Sequence, residues 1–282
     1  MENSLFNLHT HTTFCDGKAQ PEEFVDRALG LGFHTLGFSS HAPLPFENNF
    51  SISPGRIGEY RNAIEVLRER YKRKINILVS LEMDYIPGMS AGFRNMSDTW
   101  KLDYMIGGVH LIGRDSRDNL WLIDGPSRHR YDDGLEKLFS GDIRKAVGLY
   151  YEQVIRMATG EKPDIIAHFD KVKMHNQERY FSENESWYRE LVWNALNAIR
   201  ESGCILEVNT RGLYKKRTSS FFPSAFVLER ALHLGIPVTV SSDAHRPEEL
   251  DLLLPEAYRL LREVGFKEVI CFRGSERVPQ AL

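Results

Sequence analysis

The side chains of this 282-residue chain that could do chemistry are mostly histidines and carboxylates placed just after short apolar runs. Six of the ten histidines stand there, where a buried strand would end, together with three carboxylates. The set comprises His9, His11, Asp16, His41, Glu82, His110, His168, Asp243 and His245. Neutral imidazole suits zinc, iron and manganese, and carboxylates suit the harder of these ions. Because one tetrahedral site takes about four ligands, the set predicts two or three divalent metal ions (Zn, Fe or Mn).

Each of these motifs also has a structural interpretation when it is taken alone. The HTH run places His9 and His11 on one face of a strand, yet many such pairs are structural. A single His41 or His110 after an apolar run is more often a polar residue with satisfied hydrogen bonds, and Glu82 alone could be a surface charge. A structural interpretation must explain the whole set at the ends of successive strands, so we favour a metal centre.

Clustered cations of this kind suit the hydrolysis of phosphate esters. A carboxylate such as Glu82 could bridge two ions about 3.5–4 Å apart, and such a pair activates water and stabilises both the attacking and the leaving oxygen. Uncatalysed hydrolysis of phosphate monoesters is so slow that the acceleration required reaches about 10²¹-fold. The residues therefore predict a metal-dependent hydrolase that acts on a small-molecule phosphate ester.

The elements that must position these side chains alternate along the chain. Apolar runs predict buried strands at 5–8, 35–38, 75–81, 104–109, 165–167, 205–208 and 237–240, with a last strand at 268–272. Helical patterns lie between most of them, at 21–33, 55–71, 143–158, 186–201, 223–234 and 247–264. Alternation of this kind predicts parallel βα units. Without a glycine-rich dinucleotide turn, it favours an α/β barrel, which builds its site at the carboxyl ends of its strands.

The chain is predicted to form a single domain over residues 1–282, because no stretch rich in Pro, Gly or Ser divides it. The least regular region is 111–141, and it predicts a long loop inserted after the fourth strand, either functional or a disordered flap. It contains Arg114, Arg117, Arg128, His129 and Arg130, together with several aspartates.

Composition argues against several kinds of partner. The net charge is −3, and a nucleic-acid binder usually carries a basic face. No window reaches the roughly 20 apolar residues of a membrane span, and the N-terminus lacks the pattern of a signal peptide. The three cysteines are widely spaced and indicate no disulfide framework. We therefore expect a cytoplasmic protein without a nucleic-acid or membrane partner, and no feature specifies an oligomeric state.

The motifs together resemble those of the polymerase-and-histidinol-phosphatase (PHP) superfamily. They are HTHTTFCDG, SSHAPLPF, LEMDY, GGVH, AHFD and SSDAH, and they span residues 9–245. The pair FCDG and SSHAPLPF is most similar to the histidinol-phosphate phosphatase branch. The resemblance implies a distorted (β/α)7 TIM-like barrel, in agreement with the strand count.

The resemblance also implies how the ligands are divided among three ions. Many members of the family have histidine at the position of Asp16, whereas the phosphatase branch resembles this chain in having Asp there. The implied sets are His9, His11, Glu82 and Asp243 for the first ion, the bridging Glu82 with His110 and His168 for the second, and Asp16, His41 and His245 for the third.

The substrate that the resemblance implies is L-histidinol phosphate, cleaved to L-histidinol and phosphate in histidine biosynthesis. A metal-bridging hydroxide would attack phosphorus in line, with no covalent phospho-enzyme. Glu82 would hold the two ions together, and Asp243 or His245 would protonate the leaving alkoxide.

The phosphate also requires a clamp that is not a metal ion. Arg211 is the first candidate, because it follows the sixth strand, whose end carries no metal ligand, and because arginine binds phosphate bidentately. A surface position for Arg211 is the structural alternative. Lys171 and Lys173 follow His168 closely and are weaker candidates for binding the substrate.

Two other functions compete with a phosphomonoesterase. A nuclease or nucleotide phosphodiesterase could use the same metal scaffold, but the net charge of −3 and the absence of a basic, aromatic-rich groove count against it. A metal-binding scaffold or regulatory protein without catalysis is the non-enzymatic alternative. Because every expected ligand position holds a competent side chain, the sequence gives no support for a loss of activity.

Overall fold

The computed structural model of the protein describes residues 5–113 and 116–282. Its centre is a sheet of seven parallel strands that lie in the order of the sequence. They are β1 (Phe6–Asn7), β2 (Thr35–Phe38), β3 (Asn76–Asp84), β4 (Tyr104–Gly108), β5 (Ile165–Ile166), β6 (Ile205–Asn209) and β7 (Val238–Ser241). The seven strand predictions are confirmed, with ends that differ by at most three residues.

The sheet curls until its two edges meet at the carboxyl ends of the strands. Just beyond β1 and β7, Thr10 and Ala244 form a single parallel bridge. The His11 N–H donates to the Ala244 carbonyl oxygen at 2.8 Å, and the Ala244 N–H donates to the His9 carbonyl oxygen at 3.1 Å. The predicted distorted (β/α)7 barrel is confirmed, and its closure brings the first and last histidine motifs together.

Helices surround the barrel, and nine of them lie in the described part of the chain. They are α1 (Pro21–Gly30), α2 (Ile57–Tyr71), α3 (Phe93–Trp100), α4 (Arg128–Phe139), α5 (Ile143–Arg156), α6 (Ser186–Ser202), α7 (Arg211–Tyr214), α8 (Ala225–His233) and α9 (Leu254–Val264). Shorter turns of 3₁₀-helix lie at Pro54–Arg56, Arg117–Asn119, Lys171–Lys173 and Pro247–Glu249, and a π-helical turn lies at Met157–Glu161.

The helix predictions succeed where an apolar face is continuous and fail where proline interrupts it. In α1, Pro21 lies in the first turn, where its missing N–H costs nothing, and Phe24 and Ala28 are buried. The single helix expected at 247–264 is wrong, because α9 begins only at Leu254. The ring of Pro255 would clash with the backbone of the preceding turn if the helix ran through it.

The described parts of the region 111–141, residues 111–113 and 116–141, are folded, which corrects the expectation of a long loop. Strands Leu111–Ile112 and Trp121–Leu122 pair as an antiparallel hairpin, and helix α4 follows. Trp121 is fully buried, and its ring centroid lies 4.6 Å from that of Tyr131. On α4 the apolar residues recur every fourth position, at Tyr131, Leu135 and Phe139, and many charged neighbours obscure this pattern in the sequence. Arg114 lies outside the described residues.

A second hairpin covers the end of the barrel opposite to the histidines. The last predicted strand is confirmed as Glu268–Arg273, and it pairs with an unpredicted strand, Glu276–Ala281, outside the barrel sheet. Phe272 stacks on Tyr104 at the start of β4, with ring centroids 5.0 Å apart. Across the described ranges, no helix has both the length and the apolar character needed to span a membrane.

Candidate metal centre

The carboxyl ends of the barrel strands bring all nine predicted ligands to one rim. Their nitrogen and oxygen atoms form clusters whose members lie within 4.8 Å of one another. We call them the first cluster (His9, His11, Asp243), the second cluster (Glu82, His110, His168) and the third cluster (His11, Asp16, His41, His245). These groups contain all nine residues of the three implied ligand sets, but Glu82 is grouped only with His110 and His168, and His11 also joins the third group. A further group joins His41 and His110 to Asp84. The assignment of the nine residues to three ions stays a prediction.

Glu82 is buried between the first and second clusters. Its Oε2 atom lies 3.2 Å from His9 Nε2 and 3.4 Å from His11 Nε2. Its Oε1 atom lies 2.8 Å from His168 Nε2 and 3.5 Å from His110 Nε2. Each oxygen therefore faces a different group of imidazoles, which is the placement that a carboxylate bridging two ions requires.

Asp243 and Asp16 connect the first and third clusters. Asp243 Oδ1 lies 3.3 Å from His11 Nε2 and 3.4 Å from His245 Nδ1. Asp16 Oδ2 lies 3.3 Å from His245 Nε2, and its Oδ1 lies 4.0 Å from His41 Nε2. The Asp16 side chain is 30% exposed, so the third cluster opens most directly to solvent.

Two glycines make room for these side chains. A Cβ atom on Gly17 would lie 2.4 Å from the carbonyl carbon of His11, so only glycine lets the turn that carries Asp16 approach the HTH backbone. A Cβ atom on Gly108 would lie 3.2 Å from Glu82 Oε1, tighter than an ordinary contact. Close packing of backbone against the rim thus explains the glycines of the FCDG and GGVH motifs.

Several buried polar atoms in the clusters have no hydrogen-bond partner. They are His9 Nε2, His11 Nε2, Asp16 Oδ1, His41 Nδ1 and Asp243 Oδ1. A buried polar atom left unpaired costs about 1–3 kcal/mol, so a concentration of them on one rim demands a partner. Imidazole nitrogens and carboxylate oxygens are the ligands of zinc and similar ions. The residues present therefore fit divalent metal ions.

The electrostatics keep the carboxylates charged and divide the imidazoles. Burial lowers the pKa values of His11 and His168, whereas nearby carboxylates, against the effect of burial, raise those of His9 and His110. Burial alone would raise the pKa of Glu82, but His41, His9 and His110 hold it well below its usual range. Burial and the neighbouring Lys171 lower the pKa of His168 to about 4. Ionised carboxylate and neutral imidazole are the forms that bind metal.

Two further buried carboxylates orient the imidazoles, and the sequence analysis missed both. Asp84 Oδ1 lies 2.6 Å from His110 Nδ1, and Glu207 Oε1 lies 2.6 Å from His9 Nδ1. Pairs of this kind assign the ring N–H to Nδ1 and leave Nε2 free to bind a metal. Strand alternation could have revealed Asp84, because it lies two residues after Glu82 and therefore on the same face of β3.

A cavity of about 510 Å³ opens over the second and third clusters. The folded insertion at 111–141 forms one wall, and Phe50 lies on another. The lining residues are Asp16, Lys18, His41, Asn49, Phe50, His110, Leu122, Asp124, Gly125, Pro126, Ser127 and Arg130.

Lys171 places a positive charge beside the second cluster. Its side chain is 5% exposed, and its Nζ atom lies 2.8 Å from Asp124 Oδ2. Burial opposes the charged form, but Asp124, Asp243 and Glu82 raise the pKa of Lys171 above its ordinary value. Asp124 Oδ2 in turn lies 3.9 Å from His110 Nε2. The predicted substrate residue Lys171 therefore stands as an ammonium group next to the cavity wall.

Arg211 lies behind the rim and not on the lining of the cavity. Its Nη1 atom donates to the Asp243 carbonyl oxygen at 2.9 Å and to Tyr214 Oη at 3.0 Å. It also lies 3.2 Å from Glu249 Oε2. Arg211 starts helix α7 directly after β6, and its Nη1 atom supports the backbone at Asp243. The expectation that Arg211 clamps the phosphate stays a prediction.

Lys173 also points away from the clusters. Its Nζ atom lies 2.6 Å from Asp170 Oδ2 and donates to Ser220 Oγ at 3.0 Å. Lys171 and Lys173 lie in one 3₁₀ turn, where each residue advances about 120° around the axis. Their side chains therefore diverge, and only Lys171 reaches the rim.

Fold and site together define a class of protein, a parallel (β/α)7 barrel built to hold several divalent ions at its carboxyl rim. The particular family follows from comparison with known sequences. The PHP domain model matches residues 7–211, and the chain belongs to this family. The match ends before Asp243 and His245, which the tertiary structure adds to the same rim.

Individual relatives agree with this assignment. The histidinol-phosphatase of Bacillus subtilis is 27% identical over 253 residues, which is 84% of this chain and 92% of the relative. A solved structure from Listeria monocytogenes superposes with a TM-score of 0.76 at 20% identity, over 90% of this chain and 100% of that one. The histidinol phosphate phosphatase of Lactococcus lactis, complexed with Zn, L-histidinol and phosphate, has a TM-score of 0.70 at 22% identity, with coverage of 98% and 99%. The two structures share the barrel fold.

Proposed function

We propose that the chain is a metal-dependent phosphomonoesterase that hydrolyses L-histidinol phosphate to L-histidinol and phosphate in histidine biosynthesis, in the cytoplasm. The position of Glu82 is the main evidence for metal-dependent catalysis, because its two oxygens face two groups of imidazoles below a cavity. The substrate is suggested by the Bacillus subtilis relative named histidinol-phosphatase. The Lactococcus lactis structure with L-histidinol and phosphate gives the same substrate.

The first, second and third clusters would hold two or three ions of zinc, iron or manganese, with Glu82 shared between the first two. When bound, such ions activate water and neutralise charge on the phosphoryl oxygens. The ammonium of Lys171 would bind a phosphoryl oxygen, and Asp124 would hold that ammonium in place. Asp243 or His245, whose Oδ1 and Nδ1 atoms are 3.4 Å apart, would give a proton to the leaving alkoxide.

The cavity suits a small cationic phosphate ester. Its volume of about 510 Å³ lies within the ordinary range of small-molecule sites, about 300–1,000 Å³. L-Histidinol carries an ammonium and an imidazole, which require negative charge and an aromatic face. Phe50, on the cavity lining, supplies the aromatic face, with its ring centroid 5.5 Å from that of His41.

Release of inorganic phosphate from the monoesters of a substrate panel, and of the nucleotide monoester from its one diester by chromatography, tests the proposal. The panel contains L-histidinol phosphate, another amino-alcohol phosphate, a sugar phosphate, a 5′-nucleotide and a nucleotide phosphodiester, each with zinc-, iron- or manganese-loaded protein. We expect the highest kcat/KM with L-histidinol phosphate. Preference for the diester would support the nuclease alternative, and no turnover of any substrate by fully loaded protein would support the non-catalytic one.

Two histidine variants form a matched pair for the same assay. His110→Ala should lose metal and nearly all activity while the fold is retained, because its Nε2 atom faces Glu82. His129→Ala removes an imidazole that is 84% exposed on helix α4, and it should change neither the metal content nor the activity. Full activity of His110→Ala would contradict the assignment of the second cluster.

A further inference from the structure

Glu207 lies in β6, the one barrel strand whose end supplies no residue to the three clusters. It is buried, with 1% of its surface exposed, and both of its oxygens are fully used. Oε1 accepts the Nδ1–H of His9 at 2.6 Å and the hydroxyl of Ser241. Oε2 accepts the backbone N–H of His168 at 2.9 Å and the Nδ2–H of Asn209 at 3.0 Å. One carboxylate thus receives four hydrogen bonds.

Two of these four contacts are made to metal-cluster residues, and a third reaches a cluster residue through Asn209. His9 belongs to the first cluster, and the bond to its Nδ1 leaves Nε2 directed at Glu82. His168 belongs to the second cluster, and its backbone has φ of 28°, a strained conformation that persists only when its surroundings hold it. Asn209 also donates to Asp243 Oδ2 at 3.2 Å, so Glu207 reaches the first cluster a second time.

We propose that Glu207 is a positioning residue that holds the first and second clusters in register with each other. The proposal rests on the metal-dependent function proposed above. A carboxylate is required because both oxygens must accept. A glutamine in its place would turn an amide N–H₂ toward two of the donors and break those bonds, and its neutral carbonyl oxygen would accept the other two more weakly than a carboxylate does.

Asp84 provides the matched comparison within the same rim. Its Oδ1 accepts the Nδ1–H of His110 at 2.6 Å and the backbone N–H of the same residue at 3.2 Å. Both contacts belong to one residue of the second cluster. Asp84 therefore orients one ligand, whereas Glu207 orients ligands in two clusters.

Zinc affinity distinguishes the two roles. Metal-free protein is titrated with Zn²⁺ against a chromophoric chelator, for wild type, Glu207→Gln, Asp84→Asn and Asp103→Asn. Loss of an orienting partner weakens metal binding about 10–100-fold. We expect this loss at two ions in Glu207→Gln and at one ion in Asp84→Asn. Asp103→Asn, which alters a carboxylate that accepts the Val79 N–H at 2.7 Å at the opposite end of the barrel, should bind zinc as wild type does.

A spectroscopic signature separates positioning from general damage. The zinc-loaded protein should show downfield imidazole N–H resonances from the two carboxylate-bound rings, His9 and His110. Glu207→Gln should shift the His9 resonance, and Asp84→Asn should shift the His110 resonance and leave that of His9 unchanged. Wild-type zinc affinity at every ion in Glu207→Gln would overturn the proposal, and so would a loss confined to one ion.

A second variant keeps the test decisive if Glu207→Gln does not fold. Asn209→Ala retains Glu207 and removes the donor shared with Asp243, together with the acceptor of the Arg211 backbone N–H, so it should weaken one ion, that of the first cluster. Unchanged affinity in Asn209→Ala would then refute the link to Asp243. Both measurements use zinc alone, so a failure of L-histidinol phosphate as substrate would leave their outcome unaffected.

Discussion

Replacing Lys171 by methionine removes a positive charge beside the second cluster and preserves most of the length of the side chain. The Lys171 Nζ atom lies 2.8 Å from Asp124 Oδ2, and the side chain is 5% exposed. Charges in such a buried position are poorly screened by solvent. The substitution therefore tests whether this ammonium contributes to binding of the phosphoryl group.

The structure sets the size of two separate effects. A hydrogen bond to a charged group contributes about 1.5–3 kcal/mol. At about 1.4 kcal/mol per tenfold change, kcat/KM for L-histidinol phosphate should fall about 10- to 150-fold. Asp124 also loses its partner. Breaking a buried ion pair costs about 3–5 kcal/mol, but the Asp124 side chain is 25% exposed, so we expect a loss of about 2 kcal/mol in the free energy of unfolding.

The double variant separates the two effects. Lys171→Met, Asp124→Asn and the double variant are compared with wild type for the Tm and for kcat/KM, all loaded with zinc. The double variant should recover most of the Tm, because the unpaired carboxylate is gone, but none of the activity. Wild-type kcat/KM in Lys171→Met would refute the reasoning. Recovery of activity in the double variant would show that Lys171 serves only to neutralise Asp124.

Three further perturbations have defined outcomes. Removal of metal by a chelator should abolish phosphate release and lower the Tm, because a ligand present at 1,000 times its Kd stabilises the folded protein by about 4.1 kcal/mol. Added zinc should restore both the activity and the Tm. Turnover by metal-free protein would contradict a metal mechanism. Glu82→Gln should lower the zinc content by at least one ion and nearly abolish turnover, because an amide nitrogen replaces one of the two oxygens that face the imidazoles. A wild-type zinc content, measured by elemental analysis, would rule out the bridging assignment of Glu82. Gly17→Ala should lower the free energy of unfolding by about 1–3 kcal/mol, because the alanine Cβ would lie 2.4 Å from the His11 carbonyl carbon. Wild-type stability in denaturant unfolding would show that the turn that carries Asp16 can relax.

The strands and their histidines could be predicted because the pattern is local. A short apolar run followed by a polar residue marks the end of a buried strand, and parallel strands must meet at one rim. The helix α4 escaped prediction because Tyr131, Leu135 and Phe139 are surrounded by charged residues. The apolar stripe becomes evident only once Trp121 is seen to pack against it.

The phosphate-binding candidates show the limit of the same reasoning. Lys171 and Lys173 are two residues apart and chemically alike, yet the turn between them sends one ammonium to Asp124 and the other to Asp170. Arg211 follows a strand as the ligands do, but helix α7 begins at that residue and turns its guanidinium behind Asp243. The direction of a long side chain depends on the conformation of the local turn and on the groups that the side chain contacts. The spacing of residues along the sequence specifies neither.

The sequence by itself determined the barrel and the nine side chains at its rim, because strand period and residue chemistry are properties of short segments. Only the tertiary structure decided which oxygen of Glu82 faces which imidazoles, and that Asp84 and Glu207 orient His110 and His9. Those contacts join residues as far apart as 198 positions. They form because closure of the barrel through Thr10 and Ala244 brings distant strand ends within hydrogen-bonding distance, where buried donors and acceptors must find partners.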